Sequence, residues 1–193
     1  MRGFFLFFLI KLRKKNIRGD LVFKPVVELI EVPPAKDTHR WVAITALLLA
    51  IGVILHTISP NIGGVTPNWT IAMYSITISL TNPSLSRAIG IGFVAGLTIV
   101  PSSKSAFPLG NIASELAGAT TACLLVKLFL AAHLENFKFK GFIIGGIATM
   151  ISGGVFTFIL ELVLSLPMMM WGTAMLRVVG IVGLVNGIVI QVL

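Results

Sequence analysis

Long, nearly uncharged apolar runs recur along this chain, and most are about the length of a membrane-crossing helix. Short segments containing proline, glycine or charge separate six runs, at residues 41–59, 69–81, 85–100, 109–133, 141–166 and 170–193. A helix that crosses the hydrocarbon layer needs ~20 apolar residues. The second run is short and rich in serine and threonine, which predicts a tilted or broken span. The pattern predicts an all-α integral membrane protein with a six-transmembrane-helix bundle.

The composition excludes a soluble globular domain and indicates an orientation in the membrane. Of the 193 residues, 56% are hydrophobic and 11% are charged, which is too little charge to cover a water-exposed surface. Basic residues concentrate before the first run and in the segments 82–87 and 133–140. These regions share one side of the bundle, so the positive-inside rule predicts a cytoplasmic N-terminus. The net charge of +8 is therefore better explained by membrane topology than by nucleic-acid binding.

The first 40 residues form a separate region, predicted to be a basic cytoplasmic or interfacial arm and linker before a transmembrane domain at 41–193. Residues 1–10 are apolar but too short to span, and the basic residues follow them. A signal peptide has the opposite order, so an interfacial segment is favoured. Pro33 and Pro34 stop any helix and mark the linker.

Three ionisable residues within the spans, Glu115, Glu161 and Arg177, are candidates for function. A charge at the centre of a spanning helix costs ~2.5–3.5 kcal/mol on insertion scales, so such residues are rarely incidental. The predicted topology puts all three in the outer leaflet, below Lys104 in an outer loop. Two carboxylates and one or two cations suit a zwitterionic ligand, whose ammonium group could meet Glu115 or Glu161 and whose carboxylate could meet Arg177 or Lys104. The alternative is a structural ion pair between Glu161 and Arg177.

Polar residues near the same predicted outer side complete this cluster. Asn111 shares a helix face with Glu115, and Thr157 shares one with Glu161. His56 and Trp69 lie at predicted outer boundaries, where a hydrogen-bonded interfacial role is favoured over ligand binding.

Two patterns of small residues predict close helix contacts. Ala46 and Ala50 lie one turn apart on the first helix, and Ala88, Gly92 and Gly96 repeat at the same spacing on the third. Small residues at this spacing let helices approach closely in lipid.

Motifs for catalysis are absent from the sequence. It contains no phosphate-binding loop of the GxxxxGK[ST] type, no HExxH and no GxSxG. The single cysteine, Cys123, lies in an apolar run and is predicted to be a buried hydrophobic residue. We therefore expect no enzymatic activity, no cofactor and no metal site.

Several local motifs resemble the bacterial tryptophan-transport-protein family of the TrpP type. They are Leu55-His56, the loop 64–68 (GVTPN), and the segment 106–110 (AFPLG), with Ser152-Gly153 and Asn186 as further matches. The resemblance covers about residues 42–192. The family usually has Lys-Pro-Asp where this chain has Thr66-Pro67-Asn68, and its acid–base pair early in helix four is replaced here by small residues near Ala117-Gly118.

That family is similar to the substrate-binding S components of energy-coupling-factor (ECF) transporters. This similarity implies a plasma-membrane protein with an outward-facing pocket, lidded by the loop after helix one. It also implies docking through an Ala-x-x-x-Ala face on helix one, matched by Ala46 and Ala50, onto a transmembrane coupling protein driven by two ATPases.

Together, the residues and the resemblance predict a subunit that binds a small molecule, with tryptophan as the leading substrate, for uptake with an ECF-type ATPase module. The predicted substrate-binding residues are His56, Asn68, Trp69, Lys104, Asn111, Glu115, Thr157, Glu161 and Arg177. The predicted coupling interface comprises Ala46, Ala50, Ala88, Gly92 and Gly96. Alternatives are a proton-coupled secondary transporter using Glu115 or Glu161, an S component for a vitamin or its precursor, and a membrane regulatory subunit without a substrate.

Overall fold

The computed structural model describes residues 10–11, 26–27, 40–60 and 67–193, and six helices follow one another in the last two ranges. They are α1 (Arg40–Ile58), α2 (Trp69–Thr81), α3 (Leu85–Ile99), α4 (Gly110–Ala131), α5 (Lys140–Leu164) and α6 (Met169–Val192). A 3₁₀ turn, Val100–Ser102, extends α3. All of these helices except α2 are long and apolar enough to cross a membrane. The prediction of a helical membrane bundle is confirmed, and the bounds of 69–81 agree with α2.

The short helix α2 is the centre of the bundle rather than a peripheral span. It contacts each of the other five helices, and Ala72, Tyr74 and Ile78 are completely buried. Asn68 caps its first turn, and Asn82 ends it in a left-handed conformation with φ 40°. A helix enclosed by protein can carry hydroxyl groups that lipid would not solvate, which accounts for its serine and threonine content.

The small residues of α3 pack against α4 inside the bundle. Ala88, Gly92 and Gly96 are buried. A Cβ added at Gly92 would lie 2.6 Å from the Glu115 backbone oxygen, and one added at Gly96 would lie 2.6 Å from the Ile112 Cα. The prediction that this face docks a partner is therefore wrong, because the backbone of α4 already occupies it. Ala46 and Ala50, by contrast, are exposed on α1.

The helices α5 and α6 pack closely against each other, and both contribute residues to the site described below. A Cβ at Gly187 would lie 2.9 Å from the Phe142 backbone oxygen, so the two helices approach closely there. In the first half of α6, residues Met175–Val179 form a π-helical segment. Gly153 of α5 leaves room for Val179 in this segment, since a Cβ there would lie 2.5 Å from Val179 Cγ1.

The chain divides into two compact units, Met1–Thr38 and His39–Leu193. In the first, β1 (Ile10–Lys11) pairs antiparallel with β2 (Val26–Val27), with Ile10 opposite Val27. Residues 1–9 of the predicted interfacial segment 1–10, the Pro33-Pro34 linker and residues 61–66 of the loop after α1 lie outside the described residues. The cytoplasmic or interfacial role of residues 1–40 stays a prediction.

Candidate functional site

A cavity of about 320 Å³ lies at one end of the bundle. Six regions meet there: the end of α1, the start of α2, the loop before α4, the start of α4, and the facing parts of α5 and of α6. The volume is near the lower end of the roughly 300–1,000 Å³ typical of small-molecule sites. The cavity is therefore the right size for a compact ligand.

One wall of the cavity is polar, and its side chains are held by hydrogen bonds to backbone carbonyls. The Asn111 amide donates to the Pro108 carbonyl at 2.8 Å and to Ser103 Oγ at 3.1 Å. The exposed Lys104 Nζ donates to the Ser59 carbonyl at 3.2 Å. Lys104 is the one cation in the described cavity lining, so it is the natural partner for an anionic group.

His56 belongs to the same polar wall and is almost fully buried. Its Nδ1 lies 3.0 Å from the Pro67 carbonyl oxygen. Because a carbonyl oxygen can only accept, Nδ1 carries the proton in this contact. His56 thereby ties the end of α1 to the residue just before the cap of α2.

The apolar part of the lining comes mainly from α5 and α6, although Thr149, Ser152 and Thr157 of α5 add hydroxyl groups to it. Phe156 and Leu160 line it from α5, and Val178, Val179 and Val182 line it from α6. The Phe156 ring lies against Gly110, where an added Cβ would be 3.3 Å from Phe156 Cε2. Two of the valines belong to the π-helical segment, a distortion that is frequent at functional sites. The cavity lining thus combines polar groups with an apolar surface.

A buried polar cluster lies behind the cavity and is reached through Asn68. The Asn68 amide nitrogen donates to Glu115 Oε1, while its backbone oxygen accepts from the Asn186 amide at 3.4 Å. Asn186 also donates to Thr149 Oγ1 at 3.0 Å. Glu115 and Asn186 are completely buried, and within the described chain Glu115 Oε2 accepts no hydrogen bond.

The structure brings five of the predicted site residues to the cavity and leaves four outside its lining. The five are His56, Asn68, Lys104, Asn111 and Thr157. The four are Trp69, Glu115, Glu161 and Arg177.

The residues outside the lining have different environments. Trp69 donates from Nε1 to Ser59 Oγ at 2.7 Å, and Glu115 lies behind Asn68. Glu161 is buried, and its Oε2 has no hydrogen-bond partner in the described part of the chain. Arg177 is exposed on the π-helical segment. The alternative of a Glu161–Arg177 ion pair is therefore not realised in this structure.

The sequence analysis missed Phe156 and the hydroxyls of Ser114, Thr149 and Ser152, which also line the cavity. On α5 it selected the face through Gly154, Thr157 and Glu161. The cavity face runs through Thr149, Ser152, Phe156 and Leu160, about a third of a turn away at ~100° per residue. The i, i+3, i+4 spacing was visible, but only the neighbouring helices decide which of two adjacent faces points inward.

Comparisons with known proteins agree with the local motifs. The family model described as "Tryptophan transporter TrpP" matches residues 38–193. A probable tryptophan transport protein of Bacillus subtilis is 32% identical over 129 residues, covering 66% of this chain and 73% of that protein. One from Clostridium acetobutylicum is 34% identical over 128 residues, covering 64% and 72%. No solved structure matches significantly. This chain is thus a multi-pass membrane protein that belongs to the TrpP family of tryptophan transporters.

Proposed function

We propose that this protein takes up tryptophan and binds it in the cavity between α1, α2, α4, α5 and α6. The observation that carries the proposal is a cavity lining that combines polar groups and one cation with an apolar surface and one aromatic ring. Tryptophan has the same combination, since its zwitterionic end and its indole ring need opposite environments. The names of the relatives, which are probable tryptophan transport proteins, favour the same ligand.

The polar and apolar parts of the lining suggest one orientation for tryptophan. Its carboxylate would meet Lys104, because an ammonium group is the strongest partner available for it there. Its indole ring would lie against Phe156 and the valines of α6, where offset or edge-on ring contacts add ~0.5–1.5 kcal/mol to the gain from burial. The substrate ammonium would be received by amide and hydroxyl oxygens such as Asn111 Oδ1 and Ser114 Oγ.

The distribution of charge supports an outward-facing cavity. At the opposite end of the bundle lie Arg40 at the start of α1, Arg87 near the start of α3, Lys138 just before α5 and Lys140 at its start. Since basic residues accumulate on the cytoplasmic side, this end would face the cytoplasm and the cavity would face outward. Substrate would then arrive from outside.

Binding is tested first with purified protein and two matched variants. Phe156→Ala should weaken tryptophan binding in calorimetry by about tenfold or more, because a buried aromatic contact worth at least ~1.4 kcal/mol is lost. Phe158→Ala is the control, since Phe158 lies two residues further along α5 and is 40% exposed. Equal effects of the two changes, or no binding by the unchanged protein across the amino acids, would contradict the proposal.

The finer proposal is that uptake requires an ECF-type coupling protein docked on the Ala46 and Ala50 face of α1. Both alanines are exposed, unlike the small residues of α3. Changing both alanines to leucine should leave tryptophan binding unchanged and stop uptake in cells. Gly90→Leu provides the control, because a Cβ at Gly90 meets nothing within 4 Å. Loss of binding in the alanine variants would show that this face supports the bundle instead.

A second candidate function is proton-coupled transport without an ATPase module. It is favoured by two buried carboxylates, Glu115 and Glu161, each with an oxygen that has no hydrogen-bond partner among the residues described. Reconstituted vesicles containing this protein alone distinguish the two candidates. Tryptophan uptake driven by a pH gradient would favour the proton-coupled carrier, and its absence would favour the ECF-dependent subunit.

A further inference from the structure

Asn68 is the residue through which the cavity contacts the buried cluster. It lines the cavity and caps the first turn of α2. Its Oδ1 accepts from the Thr70 backbone N–H at 3.1 Å. Because a backbone N–H can only donate, the atom facing Thr70 must be the amide oxygen. The amide nitrogen of Asn68 is therefore the atom that faces Glu115.

Glu115 provides the second half of this arrangement. Its side chain is completely buried on α4, and Oε1 accepts the hydrogen bond from Asn68. The Tyr74 hydroxyl lies next to this carboxylate and to Ser152 but meets neither with hydrogen-bond geometry. Among the described residues around Glu115, Asn68 is thus the one whose side chain is hydrogen-bonded to this carboxylate. A carboxylate in this place acts on the cavity through another residue rather than by touching the ligand.

We propose that Glu115 is a positioning residue, which fixes the Asn68 amide so that its second N–H points into the cavity and donates to the substrate carboxylate. An amide nitrogen carries two hydrogens; one is used by Glu115, and the other is available to a ligand. With Oδ1 held by Thr70 and the nitrogen held by Glu115, the amide cannot rotate to present its oxygen. Asn68 then selects for a carboxylate beside Lys104 and against ligands that lack one.

This inference deepens the proposed function and rests on it. It also changes the role expected for Glu115, which was a candidate partner for a substrate ammonium. The two roles predict opposite specificities. Loss of a positioning residue should weaken ligands that have a carboxylate, and loss of an ammonium partner should weaken ligands that have an amine.

The test compares three ligands in calorimetry, with competition against labelled tryptophan for weak binding. Tryptophan has both groups, tryptamine lacks the carboxylate, and indole-3-propionate lacks the amine. Glu115→Met removes the acceptor and should weaken tryptophan and indole-3-propionate about tenfold or more, as expected for a hydrogen bond to a charged group. The affinity for tryptamine should change by no more than about threefold, because tryptamine has no carboxylate to accept the second Asn68 N–H. Glu115→Gln, which keeps an acceptor oxygen, should restore tryptophan binding.

A second variant, Asn68→Ser, tests the same proposal even if the Glu115 variants fail to fold. Serine is as good a helix N-cap as asparagine, so α2 keeps its start while the amide donor is lost. Asn68→Ser should weaken the binding of tryptophan and indole-3-propionate as Glu115→Met does. Glu135→Met, at an exposed loop position at the other end of α4, is the control and should bind all three ligands normally.

Each outcome decides between the proposals. Equal weakening of tryptophan and tryptamine in Glu115→Met, failure of Glu115→Gln to restore binding, or normal tryptophan binding by Asn68→Ser would overturn the positioning role. Failure of the unchanged protein to bind tryptophan at all would overturn the proposed function itself, and the positioning role with it.

Discussion

The contact between α3 and α4 makes a sharp prediction about stability, because two glycines on α3 have opposite environments. A Cβ at Gly92 would lie 2.6 Å from the Glu115 backbone oxygen and 2.9 Å from Ala119 Cβ. A Cβ at Gly90 meets nothing within 4 Å. Both Gly→Ala changes gain the same helix propensity, about 1 kcal/mol. The difference between them therefore isolates the cost of the clash.

Gly92→Ala should be less stable than Gly90→Ala by about 1–3 kcal/mol, the usual cost of forcing a methyl group into a packed contact. The clash cannot be relieved by a side-chain rotation, because the nearest atom belongs to the backbone of α4. Thermal unfolding in detergent measures this difference, which corresponds to about 2–4 °C per kcal/mol for a chain of this size. Tryptophan binding should also weaken in Gly92→Ala, since the displaced backbone carries Glu115.

Equal melting temperatures for the Gly92→Ala and Gly90→Ala variants would refute this reasoning. That result would mean that α3 and α4 do not meet at Gly92. The same result would reopen the Ala88, Gly92 and Gly96 face as a docking surface for a partner.

Three further predictions concern the interior and the ends of the helices. Gly118→Ala should destabilise the protein, because the new Cβ would lie 2.1 Å from the Tyr74 hydroxyl oxygen; Tyr74→Phe in the same chain should recover much of the loss in thermal unfolding. Cys123 is completely buried, so a maleimide should label it only after denaturation, and rapid labelling of the native protein would contradict its placement. Asn82 has φ 40° at the end of α2, so Asn82→Gly should be tolerated and Asn82→Ala should cost about 1–2 kcal/mol in denaturant unfolding.

Hydrophobic run length alone predicted the helical membrane architecture of this protein. Membrane-crossing helices must satisfy their backbone hydrogen bonds internally and need a minimum apolar length, so run length and prolines locate them without knowledge of neighbours. The helix α2 was the partial exception. Its 13 residues are too few to span by the same criterion, and its central position accounts for that length.

Several polar residues of the cavity were also predictable from position. Four of them lie at helix ends or in loops on the predicted outer side, namely His56, Asn68, Lys104 and Asn111. Thr157 lies about two turns before the end of α5, and all five line the cavity. Position along a helix gives depth in the membrane, because each residue advances a fixed distance along the helix axis. The sequence therefore placed them at the same end of the bundle as the cavity.

Which side of each helix faces the cavity was decided only by the tertiary structure. Rotation about the helix axis depends on contacts between distant segments, and adjacent faces of α5 have similar small and polar residues. Because of this ambiguity, the sequence did not reveal Phe156, and it suggested a site role for Arg177, which is exposed outside the cavity lining. It also suggested that the α3 glycines form a surface for a partner, whereas in the structure they pack against α4. It also concealed the contact of Asn68 with Glu115, which joins residues 47 positions apart. The sequence by itself determined the helices and the position of each residue along them, and the packing of one helix against another determined what each side chain meets.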